Sequence, residues 1–490
     1  MKIDVISGSS SRQRAGATPP AASVFGARVF DSGALRADAA LVGSLESATS
    51  EMDLAAPPVV LPDFHHKSAM EMPSSIAVAT VGTIRPTLTS SSVNCGMALV
   101  ALDCDRPSEA AVEEFYRRVR ERYPYPTTSR RDLTYRDVVQ AAVEGGEFAV
   151  DRYGVDAAEL ERVEEQGRLD LARWGGSDRL VSEVPALTWQ LARMRFGTVG
   201  PSNHFVELQE VEEVLDPTAA ELLGVRAGQV TLQYHAGGGV LTGEIGHLFA
   251  RRKDTARVMR AAMAVQKPLF HLATARSVEQ VRERMRLFFT RATPPVSLDT
   301  EEGQRLMLAN AAAMNYGYAF RMTTYHALGQ IAAAVFGGAR GRLVVDSPHN
   351  SIYEEEVAGT TAVVHRHNSC RAYPASRMTP GTTFAQTGQA VLLPGTHRTS
   401  SYLAVAGDSS AASLHSACHG AGTVIDQFAR DGSSGPDREG RHTLRFGYSD
   451  TAPERCEHLD DTGVNAAMSV LSGHGIVRPV ARLRPFAVLH

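Results

Sequence analysis

The chain has 490 residues, of which 43% are hydrophobic and 21% are charged, and its formal net charge is −4. This apolar content suffices for the core of one large domain or two ordinary ones. Because a coat that binds nucleic acid non-specifically is basic, the mild acidity counts against a histone-like or polybasic binder. Any contact with nucleic acid is then expected in a local basic groove.

The cysteines and the first residues indicate where the chain works. The five cysteines, at positions 95, 104, 370, 418 and 456, show no paired spacing and form a poor disulfide framework, so we expect reduced thiols and a cytoplasmic location. Met1 to Gly16 lacks the apolar centre of a secretory signal, and no stretch is long enough for a membrane helix. Residues 1–25 are rich in Ser, Ala, Pro and Arg, which predicts a mobile leader.

Several segments have the apolar spacing of helices. The first two run from Pro107 to Tyr123 and from about Ala157 to Arg173. The third, Ser277 to Phe289, opens on a capping-box pattern, with a glutamine three residues after its first serine. The fourth, Gln304 to Phe336, is long and Ala-rich, which predicts more than one helix.

Short β-branched runs predict strands. They are Ile76 to Val81, Gly341 to Val345, Thr361 to His365, Ala390 to Leu393 and Tyr402 to Val405. Helices and strands interleave without a steady strand–helix alternation. This irregular order favours an α+β fold over a barrel or a doubly wound sheet.

Histidine, cysteine, asparagine and glycine cluster in short motifs near predicted strand ends, where functional loops tend to lie. The motifs with metal-binding side chains contain Cys95, His204, His235 and His349. One thiolate and three imidazoles are a sufficient ligand set for Zn, Fe, Co or Mn. Each residue also fits a structural interpretation, as a buried small thiol or a core histidine. Their wide separation in sequence leaves open whether they meet in space.

A glycine-rich turn follows His419. The segment His419-Gly-Ala-Gly lies directly before a helix that we predict from about Thr423. Such a turn at a helix N-terminus can bind phosphate through backbone N–H groups. Alone, the pattern is a weak indication, because many turns contain glycines.

The motifs, taken in order, resemble those of the RtcB RNA ligases from about Val60 to the C-terminus. Pro62-Asp-Phe-His65 is similar to the family's Pro-Asp-x-His element, and Cys95-Gly-Met is similar to the end of its Asp-x-Gly-Cys-Gly-Met motif. The segment from Gly197 to Glu207 is similar to Gly-Thr-x-Gly-x-x-Asn-His-Phe-x-Glu, and Ser416 to Gly422 is similar to a nucleotide-binding loop. So many motifs in one order leave little room for chance agreement.

The resemblance implies an α+β fold particular to this family, in which mixed β-sheets and helices surround a central metal and nucleotide cleft. It implies one catalytic domain over residues 26–490. It also implies GTP as cofactor and two divalent metal sites, usually filled by Mn²⁺. The metal ligands would be Cys95, His204, His235 and His349.

By the same resemblance, His419 would attack the α-phosphate of GTP and become guanylylated. The guanylyl group would pass to an RNA 3′-phosphate, and the 5′-hydroxyl of a second RNA end would then displace GMP. A 2′,3′-cyclic phosphate would first be opened by hydrolysis. Arg371 would offer a planar fork to an RNA phosphate. The nucleotide-binding residues would be Asn203, Glu207, Asn350, Pro394, Gly395, Thr396, Thr399, Ser400, Ser401, Gly420, Ala421 and Gly422.

Some positions depart from the family's pattern. Ser92 stands where the family has the Asp of its metal motif, so we expect a weaker second metal site or a different ion. His367 replaces a usual Lys, Thr423 replaces a usual Arg, and Ala487 to His490 lacks the family's final Lys-Gly. We therefore expect weaker GTP binding or an altered nucleotide choice. Because the nucleophile and the metal ligands remain, we favour an active but divergent enzyme.

Two other functions stay open. The chain can be an RNA-end binding protein that does not ligate, which Ser92 and the missing C-terminal lysine favour, or a metal-dependent cyclic phosphodiesterase that uses no GTP. The RNA substrate is also open, since tRNA splicing and RNA repair both fit. We expect a monomer that binds RNA ends and GTP and contacts no membrane. An archease-type activator is a candidate partner, and whether the chain needs it is also open.

Overall fold

The fold is described by a computed structural model that covers residues 26–68, 70–124, 132–200, 204–253, 257–291, 293–449 and 451–490. At positions 257–259 only the backbone is described. The leader predicted over residues 1–25 and the predicted nucleotide ligand Asn203 lie outside the described residues, so both stay predictions.

Most strands belong to two large mixed sheets. One sheet has the order β13-β14-β18-β6-β7-β5-β9, in which β16 also pairs with β18 and β17 pairs with β16. The other has the order β1-β2-β3-β11-β10. Two further pairs are β12-β15 and β4-β8. The strands are β1 (Arg28–Val29), β2 (Val59–Val60), β3 (Ile76–Thr80), β4 (Thr83–Ile84), β5 (Gly96–Leu102), β6 (Phe205–Val214), β7 (Val230–Ala236), β8 (Val296–Ser297), β9 (Gly341–Pro348), β10 (Asn350–Val357), β11 (Thr360–His367), β12 (Ser369–Arg371), β13 (Ala390–Leu393), β14 (Ser401–Ala406), β15 (Ser416–Cys418), β16 (His442–Phe446), β17 (Glu454–Glu457) and β18 (Val477–Leu489).

Helices cover these sheets, so the chain is a mixed α/β protein, as the irregular order of predicted elements indicated. Among the described residues, every helix is too short or too polar to cross a membrane. The helices are α1 (Ala39–Thr49), α2 (Glu109–Arg122), α3 (Tyr135–Glu144), α4 (Glu147–Tyr153), α5 (Gly176–Glu183), α6 (Ala186–Met194), α7 (Pro217–Leu223), α8 (Gly239–Leu248), α9 (Arg257–Ala273), α10 (Val278–Phe288), α11 (Glu301–Val335), α12 (Phe384–Thr387), α13 (Gly422–Arg430) and α14 (Thr462–Gly473).

Strand β5 separates two apolar cores. Ala98 and Val100 belong to the core that includes α11, whereas Met97 and Leu99 belong to the core on the other face, together with Leu403. Successive side chains of a strand point to opposite faces, so a strand covered on both sides is apolar throughout. This accounts for the unbroken apolar run after the cysteine motif, because every residue of β5 is buried.

Helix α11 is one continuous element, so the prediction of more than one helix there is wrong. The side chain of Thr300 caps its start by accepting a hydrogen bond from the N–H of Gly303 at 3.1 Å. The helix packs against α2, α3, α4 and α8 and is buried along most of its length. Because a helix buried on all sides needs no polar face, its alanines pack from end to end without a break.

Most of the other predicted helices and strands are confirmed, and one predicted helix is wrong. The helix expected between Pro107 and Tyr123 is confirmed as α2, Ser277 caps α10 as predicted, and the five predicted strands correspond to β3, β9, β11, β13 and β14. The helix predicted from Ala157 to Arg173 is wrong, since this segment forms short 3-10 helices. The φ angles of Glu165 and Gln166, 56° and 52°, are left-handed and cannot continue a right-handed helix.

Candidate active site

Four neighbouring strands bring the four predicted metal ligands to one edge of the larger sheet. Cys95 and His204 directly precede β5 and β6, His235 lies near the end of β7, and His349 directly follows β9. Strand β7 is antiparallel to β5 and β6, and β9 is antiparallel to β5, so two strand starts and two strand ends meet there. The convergence that sequence spacing left open is therefore present in the fold.

The sulfur of Cys95 lies at the centre of this cluster. Its Sγ is 3.2 Å from Nε2 of His235 and 3.5 Å from Nε2 of His204. The ligand atoms of Cys95, His235 and His349 all lie within 4.8 Å of one another. The N–H of His349 donates to the carbonyl of Cys95 at 2.9 Å, which ties the two segments together. These separations suit one ion at metal–ligand distances of about 2.0–2.3 Å.

The protonation of these groups also fits a metal. Burial raises the pKa of the Cys95 thiol to about 11, and burial, followed by the charge of Arg195, lowers the pKa of His204 to about 4. Nδ1 of His349 is buried and has no hydrogen-bond partner within the described part of the chain. Neutral imidazoles are ready to coordinate, and an ion would offset the burial of a thiolate while the thiol proton is released.

A buried ion pair lies next to the loop that carries Cys95. Nη2 of Arg321 lies 2.6 Å from Oδ1 of Asp346, and both side chains are fully buried. The same guanidinium donates to the carbonyl of Asn94 in the loop before β5. At Gly96 a Cβ atom would lie only 2.7 Å from a carbonyl oxygen of β9, so glycine is required where the two strands approach. These contacts hold the cysteine loop in place.

His419 reaches the same place from the C-terminal part of the chain, between β15 and α13. Its ring centroid is 4.0 Å from that of His349 and 6.4 Å from that of His235. Burial lowers the pKa of His419 to about 4, although a hydrogen bond with the backbone of Asn368 acts in the opposite direction. The imidazole is therefore neutral at pH 7 and has a lone pair for attack on phosphorus.

These groups share a cavity of about 500 Å³, which we call the histidine cavity. Of the residues predicted to bind nucleotide, those on its wall are Asn350, Pro394, Gly395, Gly420 and Gly422. Ser92, His367 and Thr423, the positions that depart from the family's pattern, also line this cavity. The predicted metal ligands, the candidate nucleophile and the glycine-rich loops therefore face one space.

Four other predicted nucleotide ligands, Thr399, Ser400, Ser401 and Ala421, are buried behind the loops and do not line the cavity wall. The hydroxyl of Ser401 accepts from the N–H of Gly395 at 3.1 Å, and Oγ1 of Thr399 accepts from the N–H of Thr396 at 2.9 Å. The N–H of Ala421 donates to the carbonyl of Pro394 at 3.1 Å. These hydrogen bonds hold the loops in shape. They explain why the loops contain small and polar residues even where those residues do not face the cavity.

A cavity of about 850 Å³, the loop cavity, adjoins the histidine cavity through the shared residues Pro394, Gly395 and Gly422. Two predicted nucleotide ligands, Glu207 and Thr396, line it. Burial raises the pKa of Glu207 to about 8, although its carboxylate oxygen accepts a hydrogen bond from Gln209 at 2.7 Å. At neutral pH this carboxyl group is largely protonated, so it can donate as well as accept.

Arg371 lies elsewhere. It forms an ion pair with Glu165, its Nε lies 4.0 Å from Glu164, and its guanidinium stacks 4.3 Å from the ring centroid of Tyr373. The side chain is 5% exposed and does not line the histidine cavity. Two carboxylates thus contact this guanidinium, and its contact with an RNA phosphate stays a prediction.

No role was predicted for Asp63 and Asn368, which also line the histidine cavity. Asp63 accepts from the N–H of Val424 at 3.0 Å in the first turn of α13, and burial raises its pKa to about 7. Asn368 has a left-handed φ of 48°, and its N–H donates to the side chain of Asn350 at 3.0 Å. The Pro-Asp-x-His element was a signal for Asp63, whereas Asn368 shows only the turn preference of asparagine.

Comparison with known proteins points to one family. The family profile described as tRNA-splicing ligase RtcB matches residues 47–490. The chain is 30% identical over 454 residues to the tRNA-splicing ligase RtcB of Thermococcus kodakarensis, which covers 88% of this chain and 86% of that relative. It is 30% identical over 374 residues to the RNA-splicing ligase RtcB of Mycobacterium tuberculosis, with 72% and 76% covered.

The match to Pyrococcus horikoshii differs in coverage. Its tRNA-splicing ligase RtcB is 30% identical over 415 residues, which covers 81% of this chain but 44% of that relative. The chain thus spans less than half the length of this relative. The profile match over most of the chain, together with the similarity to several relatives, identifies the chain as a member of the RtcB family.

Proposed function

We propose that this chain is a GTP- and Mn²⁺-dependent RNA ligase. It joins an RNA 3′-phosphate or 2′,3′-cyclic phosphate end to a 5′-hydroxyl end through a guanylyl-histidine intermediate. The observation that carries the proposal is the neutral ring of His419, 4.0 Å from His349 in the cavity that also contains Cys95. Membership of a family whose relatives are named as RNA ligases supports the same reaction.

In this proposal His419 is the nucleophile. The backbone of Asn368 engages one ring nitrogen, and the lone pair of the other attacks the α-phosphorus of GTP as pyrophosphate leaves. An oxygen of the RNA 3′-phosphate then attacks the guanylyl phosphorus, which breaks the N–P bond and restores neutral His419. The 5′-hydroxyl attacks the activated 3′-phosphorus, loses its proton, and GMP leaves.

The other cavity residues bind and orient the reactants. Bound divalent ions would supply positive charge to the phosphoryl groups, and their ligands would be Cys95, His204, His235 and His349. Gly420 and Gly422, at the start of α13, present backbone to a phosphate without the bulk of a side chain. A nucleotide with its phosphates beside His419 extends past Gly395 into the loop cavity, where protonated Glu207 offers a donor to the base.

The formation of the intermediate is tested without RNA. The purified chain is incubated with Mn²⁺ and each of the four nucleoside triphosphates, and its intact mass is measured. We expect one GMP adduct with GTP, lost in His419→Ala and retained in the control His474→Ala, which alters an exposed histidine at the end of α14. An adduct that survives in His419→Ala, or none with any triphosphate, contradicts the proposal.

The neutral groups Ser92 and His367 favour a second candidate, an RNA-end binding protein. A chain that binds 3′-phosphate RNA but forms no adduct has this function. A chain that opens 2′,3′-cyclic ends without GTP is instead a phosphodiesterase that uses the same metal ligands. As part of the ligase proposal, the chain acts as a monomer, with an archease-type activator as a candidate partner.

A further inference from the structure

A third cavity is lined mainly by cationic and apolar side chains. It measures about 770 Å³ and lies between the end of α8, helix α9 and the end of α10. Glu71 is the one carboxylate among its described lining residues. In a chain of net charge −4, this is a marked local concentration of positive charge. We call it the basic pocket; its basic side chains are Arg251, Arg252, Lys253, Arg260, Lys267 and Arg291.

The basic pocket and the histidine cavity share a wall formed by Arg252 and Glu71. Arg252 is buried there, donates to the carbonyl of Thr89 at 2.8 Å and lies 3.4 Å from the carboxylate of Glu71. Burial, and after it the charge of Arg252, lowers the pKa of His367 in one cavity and of Lys267 in the other. The charge of Arg252 therefore lowers a pKa in each of the two cavities, which are neighbours.

The floor of the basic pocket is preformed. The ammonium of Lys267 donates to the carbonyls of His247, Ala250 and Phe288 at 2.8, 2.8 and 2.7 Å, so all its protons are used. These bonds tie α9 to the ends of α8 and α10. The ammonium also lies 4.9 Å from the ring centroid of Phe289. Protein carbonyls therefore engage Lys267 fully, whereas the side chains of Arg251, Arg260 and Arg291 at the rim are exposed to solvent.

We propose that the basic pocket anchors the RNA strand whose end lies in the histidine cavity. The exposed guanidinium groups of Arg251, Arg260 and Arg291 meet backbone phosphates, and the half-buried Phe289 offers a ring to a base. Cations beside an aromatic side chain are the combination that binds single-stranded nucleic acid without reading its sequence. The inference rests on the proposed function, because that function is what places an RNA end beside Arg252.

The test compares RNA length. Fluorescence anisotropy measures binding to the full chain of a 3′-phosphate RNA of about 15 nucleotides and of one of about three nucleotides. In Arg251→Ala/Arg260→Ala/Arg291→Ala we expect the Kd for the long RNA to rise about tenfold or more. The slope of log Kd against log salt should fall by about 2, since each lost contact to a single strand removes about 0.7. Binding of the short RNA should stay unchanged.

The matched control is Arg36→Ala/Arg340→Ala/Arg438→Ala, three exposed arginines outside the pocket lining, which should leave both affinities as they are. GMP adduct formation without RNA is measured in the triple variant and should persist, because none of its three residues lines the histidine cavity. If the parent forms no adduct, the ligase proposal is refuted. If the triple variant still loses affinity for the long RNA in that case, the inference that the basic pocket binds RNA remains supported.

Two results overturn the inference. One is a triple variant that binds the long RNA with the Kd and salt slope of the parent. The other is inorganic phosphate displacing the long RNA at concentrations that leave the overall ionic strength unchanged, which identifies the basic pocket as a site for small anions.

Discussion

The ring centroids of His349 and His419 lie 4.0 Å apart, and the ring planes are tilted by 40°. His349 belongs to the ligand cluster, whereas His419 is the candidate nucleophile on a segment from the other end of the chain. Burial, followed by the charge of a protonated His419, holds the pKa of His349 well below its usual range. The two rings therefore favour a shared neutral state, in which one can bind an ion while the other attacks phosphorus.

The two histidines should respond differently to substitution. We expect His349→Ala to lose at least half of the Mn²⁺ that the parent retains after desalting, because a buried ligand is removed. His419→Ala should retain the parent's Mn²⁺. Elemental analysis by mass spectrometry measures both. Equal loss of metal in the two variants would show that His419 is a ligand and not the nucleophile.

The neutral group at Ser92 should limit the second metal. Its hydroxyl forms a hydrogen bond with the Cys95 thiol and lines the histidine cavity, so Ser92→Asp would add a carboxylate beside the ligands. We expect the weaker Mn²⁺ site to tighten by about tenfold in Ser92→Asp and not in Ser92→Ala. Titration of Mn²⁺ followed by electron paramagnetic resonance gives the affinities. Two tight sites in the parent would refute this account.

The proposed GTP should bind weakly because His367 and Thr423 are uncharged at positions where the resemblance to the family implies cations. Burial lowers the pKa of His367 to about 3, and the hydroxyl of Thr423 lies 3.2 Å from Nδ1 of His65. We expect His367→Lys/Thr423→Arg to lower the Kd for GTP by about threefold or more. Calorimetry measures the Kd, with His367→Gln/Thr423→Gln as the uncharged control. An unchanged or higher Kd in the charged variant is the contrary outcome.

Stability should depend on pH through Glu207. Its folded pKa of about 8 exceeds the ordinary value of 4.5, because burial favours the protonated form. The folded state binds the proton more tightly, so this stabilisation is complete below pH 4.5 and is lost as pH rises through 8. Between pH 5 and pH 8 the parent should lose on the order of 3 kcal/mol of unfolding free energy relative to Glu207→Gln. Urea unfolding measures it, and parallel curves for the two proteins would contradict the assignment.

The local features of the fold could be predicted from sequence. The cap at Ser277, the strand Ala390–Leu393 and the cysteine and histidine motifs all depend on neighbouring residues, which the sequence displays directly. The meeting of Cys95 and His349 depends instead on the strand order β7-β5-β9. Pairing between strands so distant in the chain leaves no periodic signal, so only the family resemblance pointed to it.

Arg371 shows the opposite case, in which the structure adds carboxylate contacts that the local sequence did not indicate. Glu164 and Glu165 come from the segment predicted as a helix, where left-handed backbone turns the chain toward β12. A regular helix would not have brought both carboxylates to this guanidinium. The ion pairs of Arg371 could therefore not be predicted while this segment was expected to be a regular helix.

The most direct test of the account is a chase of the guanylylated protein. The adduct is formed with GTP and Mn²⁺, separated from free nucleotide, and mixed with a 3′-phosphate RNA and a 5′-hydroxyl RNA. We predict one joined RNA and one released GMP for each adduct consumed, with no product from His419→Ala treated in the same way. An adduct that persists in the presence of both RNA ends, or joined RNA formed by His419→Ala, would contradict the central claim.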